Sequence, residues 1–195
     1  NFFGCSFLAN NSPVGVLIES NATGSSVGEI FQFNGITCQG YERGVWARHG
    51  GGIAINSFFG EDNDVHIQVG DNSHGGAFVN NVEINNWRAL RGTTGIFLEQ
   101  CRDVNVGSGY ARQLSNTISL GEATGVTIDA GRDIANEIKY ASNSRNRTGV
   151  MIFAGDKHAA PDWPAIPTPM GIIMKADSDV KGTHYKITID QEGNL

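Results

Sequence analysis

The sequence predicts an all-β solenoid, and three observations predict it. A short phrase recurs eight times, at Gly15, Gly35, Gly44, Gly52, Gly95, Gly125, Gly149 and Gly171: Gly, then Val or Ile, one further residue, and an apolar residue. Each copy reads as a strand of three or four residues with alternating side chains, opened by a residue that lets the backbone turn sharply. The phrases also fall into pairs about ten residues apart, with successive pairs roughly twenty to thirty residues apart, which is the signature of stacked coils. Helical periodicity, finally, is close to absent. Asn and Gly gather instead between the strands, at Asn10-Asn11, Gly50 to Gly52, Asn80-Asn81 and Asn85-Asn86, where left-handed backbone angles cost little.

Taken in order, a first strand opens at Gly4, Gly35, Ser57 and Asn86, and a second at Gly15, Gly44, Asp64 and Gly95. The inward positions of the first row are Cys5 and Phe7, Ile36 and Cys38, Phe58, then Trp87 and Ala89. Those of the second row are Val16 and Ile18, Val45 and Ala47, Val65 and Ile67, then Ile96 and Leu98. Stacked, they form apolar columns. Return segments at Ile30 to Phe33, Ile53 to Ile55 and Phe78 to Val82 supply a third face. Further coils follow at Val104 to Val106 with Ile118 to Leu120, and at Val126 to Ile128 with Ile138.

The pattern changes after Tyr140. Residues 141–148 form a polar loop, and residues 161–169 hold four of the five prolines, which cannot donate to a ladder. Gly171 to Lys175 and Tyr185 to Asp190 read as two strands of an antiparallel ribbon. The division is therefore 1–140 for the coils and 141–195 for a C-terminal loop and strand segment that caps the solenoid or serves oligomerisation by joining a neighbouring subunit. Because Asn1 to Phe7 are strand-like with no polar cap ahead of them, the chain reads as a piece of a longer polypeptide or the end of a processed one, lacking its N-terminal cap.

Composition narrows the function. With 195 residues, one domain is expected. A net charge of -6 argues against a nucleic-acid surface and favours a neutral or basic glycan, or a protein. No apolar run approaches a membrane span, so membrane insertion is not expected. Three distant cysteines, Cys5, Cys38 and Cys101, suit buried thiols rather than a disulfide framework or a zinc site.

Coils of short strands with Asn and Gly corners, followed by a strand-rich cap, resemble the right-handed parallel β-helix of the pectate-lyase-like superfamily. The ending Gly182 to Leu195, with its Gly-x-x-Tyr-x-hydrophobic pattern at Gly182, Tyr185 and Ile187, resembles the strand endings of bacteriophage tailspike and tail-fibre proteins. The resemblance implies a homotrimeric virion protein on the phage tail, in contact with other tail proteins, that recognises and often cleaves a bacterial surface polysaccharide. Host attachment is the function expected. A polysaccharide depolymerase, hydrolase or lyase, and a purely structural shaft are the alternatives.

Stacking supplies a test for any catalytic pair, since equivalent positions of adjacent coils lie about 4.8 Å apart. Glu19 and Glu99 are three coils apart, roughly 14 Å, beyond the roughly 5–9.5 Å of a glycosidase pair. The turn between the two strand rows is better placed: Glu42 in one coil faces Asp62 in the next. These two carboxylates are the catalytic candidates, as acid and nucleophile or as a proton-sharing pair neutralising a uronic acid. Tyr41, Arg43, Trp46, His66 and Arg91 surround them as substrate-binding candidates, Trp46 or Tyr41 stacking on a sugar face. The plain alternative is a solvated acidic turn neutralised by Arg43 and Arg91.

Asp62-Asn63-Asp64 hints at calcium, but the spacing matches no full binding loop, and His49, His66, His74, His158 and His184 are scattered, so no metal and no cofactor are expected. No Gly-x-Ser-x-Gly elbow or phosphate-binding loop occurs. The outward positions of the second row, Leu17, Trp46, His66 and Phe97, with Met151 and Ile173, include an apolar stripe that suits a trimer interface, with a sugar-stacking strip as the competing reading.

Overall fold

A strand with alternating side chains needs a hydrogen-bonded neighbour, and here the next pass of the chain supplies it. The computed structural model describes residues 2–19, 31–71, 78–129, 138–140, 147–148, 151–154, 171–175 and 184–188. Its regular structure is all β. β1 (Phe2–Ile18) pairs in parallel with β2 (Phe31–Ala47), β2 with β3 (Gly51–Val69), and β3 with β4 (Val79–Leu98). The next pass is split. β5 (Cys101–Val106) lies beside the first part of β4, and β6 (Gly109–Leu120) beside the second. β7 (Ala123–Asp129) then follows β5, β8 (Ile138–Tyr140) follows β6, and β9 (Arg147–Thr148) pairs with β7, all in parallel. The offset is 22 residues from β2 to β3 and 29 from β3 to β4. The longer offset is taken up between Val69 and Val79.

The long strands bend at left-handed residues that stack in register. One corner column is Gly4, Gly35, Ser57 and Asn86, with φ of 60°, 72°, 58° and 50°. A second is Gly40, Asp62, Arg91 and Gln113, with φ of 79°, 54°, 51° and 58°. A third is Gly52, Asn81, Asp103 and Gly125. The corners divide each pass into three short runs: 31–34, 36–39 and 43–47 in β2 recur as 53–56, 58–61 and 65–69 in β3. We call them the first, second and third faces. Beside the first corner, Asn56 Nδ2 donates to Asn34 Oδ1 at 3.2 Å and Asn85 Nδ2 to Asn56 Oδ1 at 3.3 Å, a ladder of amides across three passes.

Between the corners, alternation sends every second side chain inward. Phe33, Ile55, Ile84, Val106 and Ile128 form one buried column; Ile36, Phe58 and Trp87 another; Val45, Ile67, Ile96 and Ile118 a third. Size is matched along the stack. Trp87 follows Phe58, and the next position is Gly109, where a Cβ would overlap the indole. The indole Nε1 donates to the Gly107 carbonyl at 3.0 Å. Cys38 and Cys101 are buried free thiols, each pushed up to about 12 by burial; Cys5 forms no disulfide and is partly buried.

The first-row openers, Gly4, Gly35, Ser57 and Asn86, occupy one corner, and the expected return face pairs as Phe31, Ile53 and Val82. The second row needs one correction. Val45 is beside Ile67, not Val65, so the inward pair of that pass is Ile67 and Val69, two residues later than expected. Asp64 does not open the strand: His66 stands in register with Gly44 and Gly95.

The expected C-terminal ribbon is present as β11 (Gly171–Lys175) and β12 (His184–Thr188), antiparallel; β10 (Met151–Ala154) joins it to the stack, parallel to β7 and antiparallel to β11. Of the polar loop expected at 141–148, residues 147–148 are instead strand β9, and the rest lies outside the described residues, as do the proline-rich segment at 161–169 and the side chains of Met151 and Ile173.

Candidate functional site

The corner between the second and third faces gathers the charged residues. Gln39 is in register with Glu61 and Arg43 with Val65, so Asp62 lies beside Gly40, and Glu42 lies beside Asp64. Arg91, one pass further on, folds back over the corner. Its Nε donates to Asp62 Oδ1 at 2.7 Å, its Nη2 to Asp62 Oδ2 at 2.9 Å and to Glu61 Oε1 at 2.6 Å. Gln39 Nε2 adds a longer bond to Asp62 Oδ2 at 3.4 Å. The hydrogen bonds from Arg91 hold the Asp62 carboxyl below the usual carboxylate range, and those to Asp62 and Glu61 raise Arg91 further. Asp62 is therefore an anion at neutral pH, with both oxygens engaged. Among the described residues no hydrogen bond or ion pair joins it to Glu42, which is exposed and reaches Arg43 only at 3.9 Å.

Beneath the corner lies a buried polar network that the sequence did not disclose. Asn63 and His66 have no exposed surface. Asn63 Oδ1 accepts from the Tyr41 N–H at 3.0 Å, and its Nδ2 donates to the Cys38 carbonyl at 2.9 Å and contacts His66 Nδ1 at 3.1 Å. His66 Nε2 meets the Arg91 carbonyl at 3.2 Å. A carbonyl only accepts, so Nε2 carries the proton, and Nδ1 is the acceptor that the Asn63 amide requires. Both amide hydrogens, the amide oxygen and both ring nitrogens are thus satisfied by a neutral imidazole. Burial lowers the ring to about 4, keeping it neutral. Space for the ring comes from glycine: a Cβ at Gly60 would overlap Nδ1, and one at Gly92 would stand 3.0 Å from Nε2. His66 is thus not an outward substrate contact. It pins the two left-handed corners by holding the backbone of Arg91 and, through Asn63, that of Tyr41.

On the third face the outward column is Leu17, Trp46, Gln68, Phe97 and Ser119, with Gln68 in the place expected for His66. Trp46 is half-buried and fixed. Its Nε1 donates to the Gly70 carbonyl at 3.1 Å, and the Arg43 and Arg48 guanidinium carbons lie 4.5 and 5.2 Å from its ring centre. Arg43 Nε is held by Gln68 Oε1 at 2.7 Å, while Gln68 Nε2 donates to the same Gly70 carbonyl at 3.2 Å. Arg48 pairs with Asp71 at 3.3 Å and Glu19 at 3.6 Å. Ring and cations are therefore preset by backbone and side-chain bonds rather than collected by a ligand. Tyr41 is partly buried and packs on the core, its ring over Gly15.

The seven candidates thus separate into three groups: Asp62 with Arg91 in a closed ion cluster, Trp46 with Arg43 and Glu42 on the open side of the third face, and His66 with Tyr41 inside. Sequence reasoning missed Asn63 and Gln68. The available signal was Gly60, a glycine at an inward position whose neighbours are Cys38 and Ala89, marking room for a ring from elsewhere. Among the described residues no three His, Cys, Asp or Glu side chains gather to hold a metal ion.

No family model matches the sequence, and no curated protein matches it. Among solved structures, the cyclase-associated protein from Cryptosporidium parvum is similar at a TM-score of 0.38 and 13% identity, covering 93% of this chain and 89% of that one. At that level the likeness assigns neither fold nor function.

Proposed function

We propose that this protein attaches to a bacterial surface polysaccharide, as a tailspike or tail-fibre protein of a phage virion. The observation that carries the reading is the preset Trp46 group. A partly exposed indole anchored at Nε1, with guanidinium groups over its ring, brings aromatic surface and hydrogen-bond donors together, at little ordering cost on binding. Binding is favoured over cleavage because Asp62 has both oxygens bonded and holds no proton to give, and because it lies beside Gly40 rather than Glu42.

The same proposal takes the stacked passes as a right-handed parallel β-helix. In support, parallel strands joined by crossover connections are right-handed in about 98% of cases. It also takes the assembly as a homotrimer, with the C-terminal strands as the association segment and other tail proteins as neighbours. Among its described residues, the stripe first expected for the interface is interrupted by Gln68 and strongly exposed only at Leu17, which leaves Trp46 to a ligand.

The test is incubation with a panel of capsule and O-antigen polysaccharides. Saturable binding with neither new reducing ends nor unsaturated-uronate absorbance is expected. Cleavage would replace the attachment reading with a depolymerase, and no binding across the panel would leave a structural shaft. A light-scattering mass of one chain would remove the trimer.

A further inference from the structure

The second face carries a set of outward residues that the corner and the Trp46 group leave unused. Its inward positions, Ile36 and Cys38, Phe58 and Gly60, Trp87 and Ala89, are buried, so the residues between them face out. In register, Thr37, Phe59, Arg88 and Tyr110 form one outward column, with rungs about 4.8 Å apart. Arg112 stands in the neighbouring column, one rung and two residues from Arg88, or about 8 Å between backbones. Phe59 and Tyr110 are half-buried, whereas Arg88 and Arg112 are exposed. Among the described residues neither guanidinium has an ion-pair partner. The acid that faces outward here, Glu61, is bound to Arg91 at 2.6 Å.

We infer that this strip is a binding surface for an anionic polysaccharide, one that carries a carboxylate on its sugar rings. The inference rests on the attachment reading for its class of ligand and adds the charge and the place. Two aromatic rings flank a guanidinium along one column, at a step close to the length of one pyranose. Ring faces take the C–H surface of a sugar, and a planar guanidinium takes a carboxylate through two parallel N–H bonds. The net charge of -6 opposes an anionic ligand at long range, but at physiological salt charges beyond about 8 Å are largely screened, and two unpaired arginines decide the local field.

The experiment uses the whole chain with polygalacturonate as probe, its methyl ester as an uncharged chain of the same shape, and polyglutamate as charge without sugar. Affinity is measured by titration calorimetry for the unaltered protein and for Arg88→Ala, Tyr110→Ala, Arg88→Lys and, as an exposed arginine at the start of β5, Arg102→Ala, each checked by its urea midpoint. Polygalacturonate is expected to bind at least tenfold more tightly than either control. Arg88→Ala and Tyr110→Ala should each weaken it at least tenfold, Arg88→Lys should recover part of the loss, and Arg102→Ala should stay within twofold. Affinity for polyglutamate equal to that for polygalacturonate would reduce the strip to a charge effect and overturn it. So would Arg88→Ala and Tyr110→Ala binding within twofold of the unaltered protein, or Arg102→Ala weakening binding as much as Arg88→Ala does. No binding of polygalacturonate overturns the strip, whereas the polysaccharide panel decides attachment separately.

Discussion

Acidification should unfold this protein through one buried ring. His66 titrates near 6.5 in an unfolded chain and near about 4 when folded, because its burial disfavours the imidazolium. Protonating Nδ1 would also set it against the Asn63 amide, which offers only hydrogens. Between those two values the unfolded state binds a proton that the folded state refuses, so stability falls as pH falls. The contribution is fully present above about pH 6.5, declines through the window, and is lost below about pH 4. Its size follows from the displacement of the pKa at 1.36 kcal/mol per unit and amounts to about 3 kcal/mol. Urea unfolding at pH 7.5, 6.5, 5.5, 4.5 and 4.0 reads it, on the natural chain and on His66→Gln, which removes the titration. Carboxylates titrate in both proteins, so the difference between the two curves isolates His66. That difference should shrink by about 3 kcal/mol from pH 7.5 to 4.0. A difference constant within about 0.5 kcal/mol would refute the reasoning, as would a charged ring seen by nitrogen NMR at pH 6.

Other perturbations act on packing and corners. Gly109→Ala sets a methyl group into the Trp87 indole and should cost about 2 kcal/mol or more in urea unfolding. Gln113→Gly removes a left-handed penalty at φ 58° on an exposed corner and should raise stability by about 0.5–1 kcal/mol after the added backbone freedom of glycine. Asn56→Ala breaks both rungs of the part-buried amide ladder, costing about 1–2 kcal/mol. At pH 8, Cys38 and Cys101 should resist a thiol reagent in the folded protein and react on unfolding, because burial holds both thiols near 12.

The scaffold was legible because its corners need unusual backbone angles. Gly4, Gly35, Ser57 and Asn86 read as openers because glycine and asparagine tolerate φ above zero, and the apolar alternation between them fixed which residues face inward. Arg91 and Gln113 adopt the same left-handed angles without any such signature; register with Gly40 and Asp62 places them there, and sequence composition does not. The two-residue misplacement of Val65 has a related cause. Glycine opens that strand at Gly44 and Gly95, but the equivalent residue of the middle pass is His66, whose polar ring reads as a surface residue. It is buried because Gly60 and Gly92 make room and because Asn63 and the Arg91 carbonyl satisfy its nitrogens. Of the site itself, the pairing of an acidic corner with Arg91 was legible from charge alone. The anchoring of Trp46 was not, since its partner is a backbone carbonyl 24 residues away.

The attachment account depends most on the preset indole and the cation bonded beside it. Its most direct test is the affinity of a host polysaccharide, one that binds the natural protein, for Trp46→Ala and Arg43→Gln under the same conditions. The account predicts at least a tenfold loss in each. Both variants binding within twofold of the natural protein, while remaining folded, would contradict it.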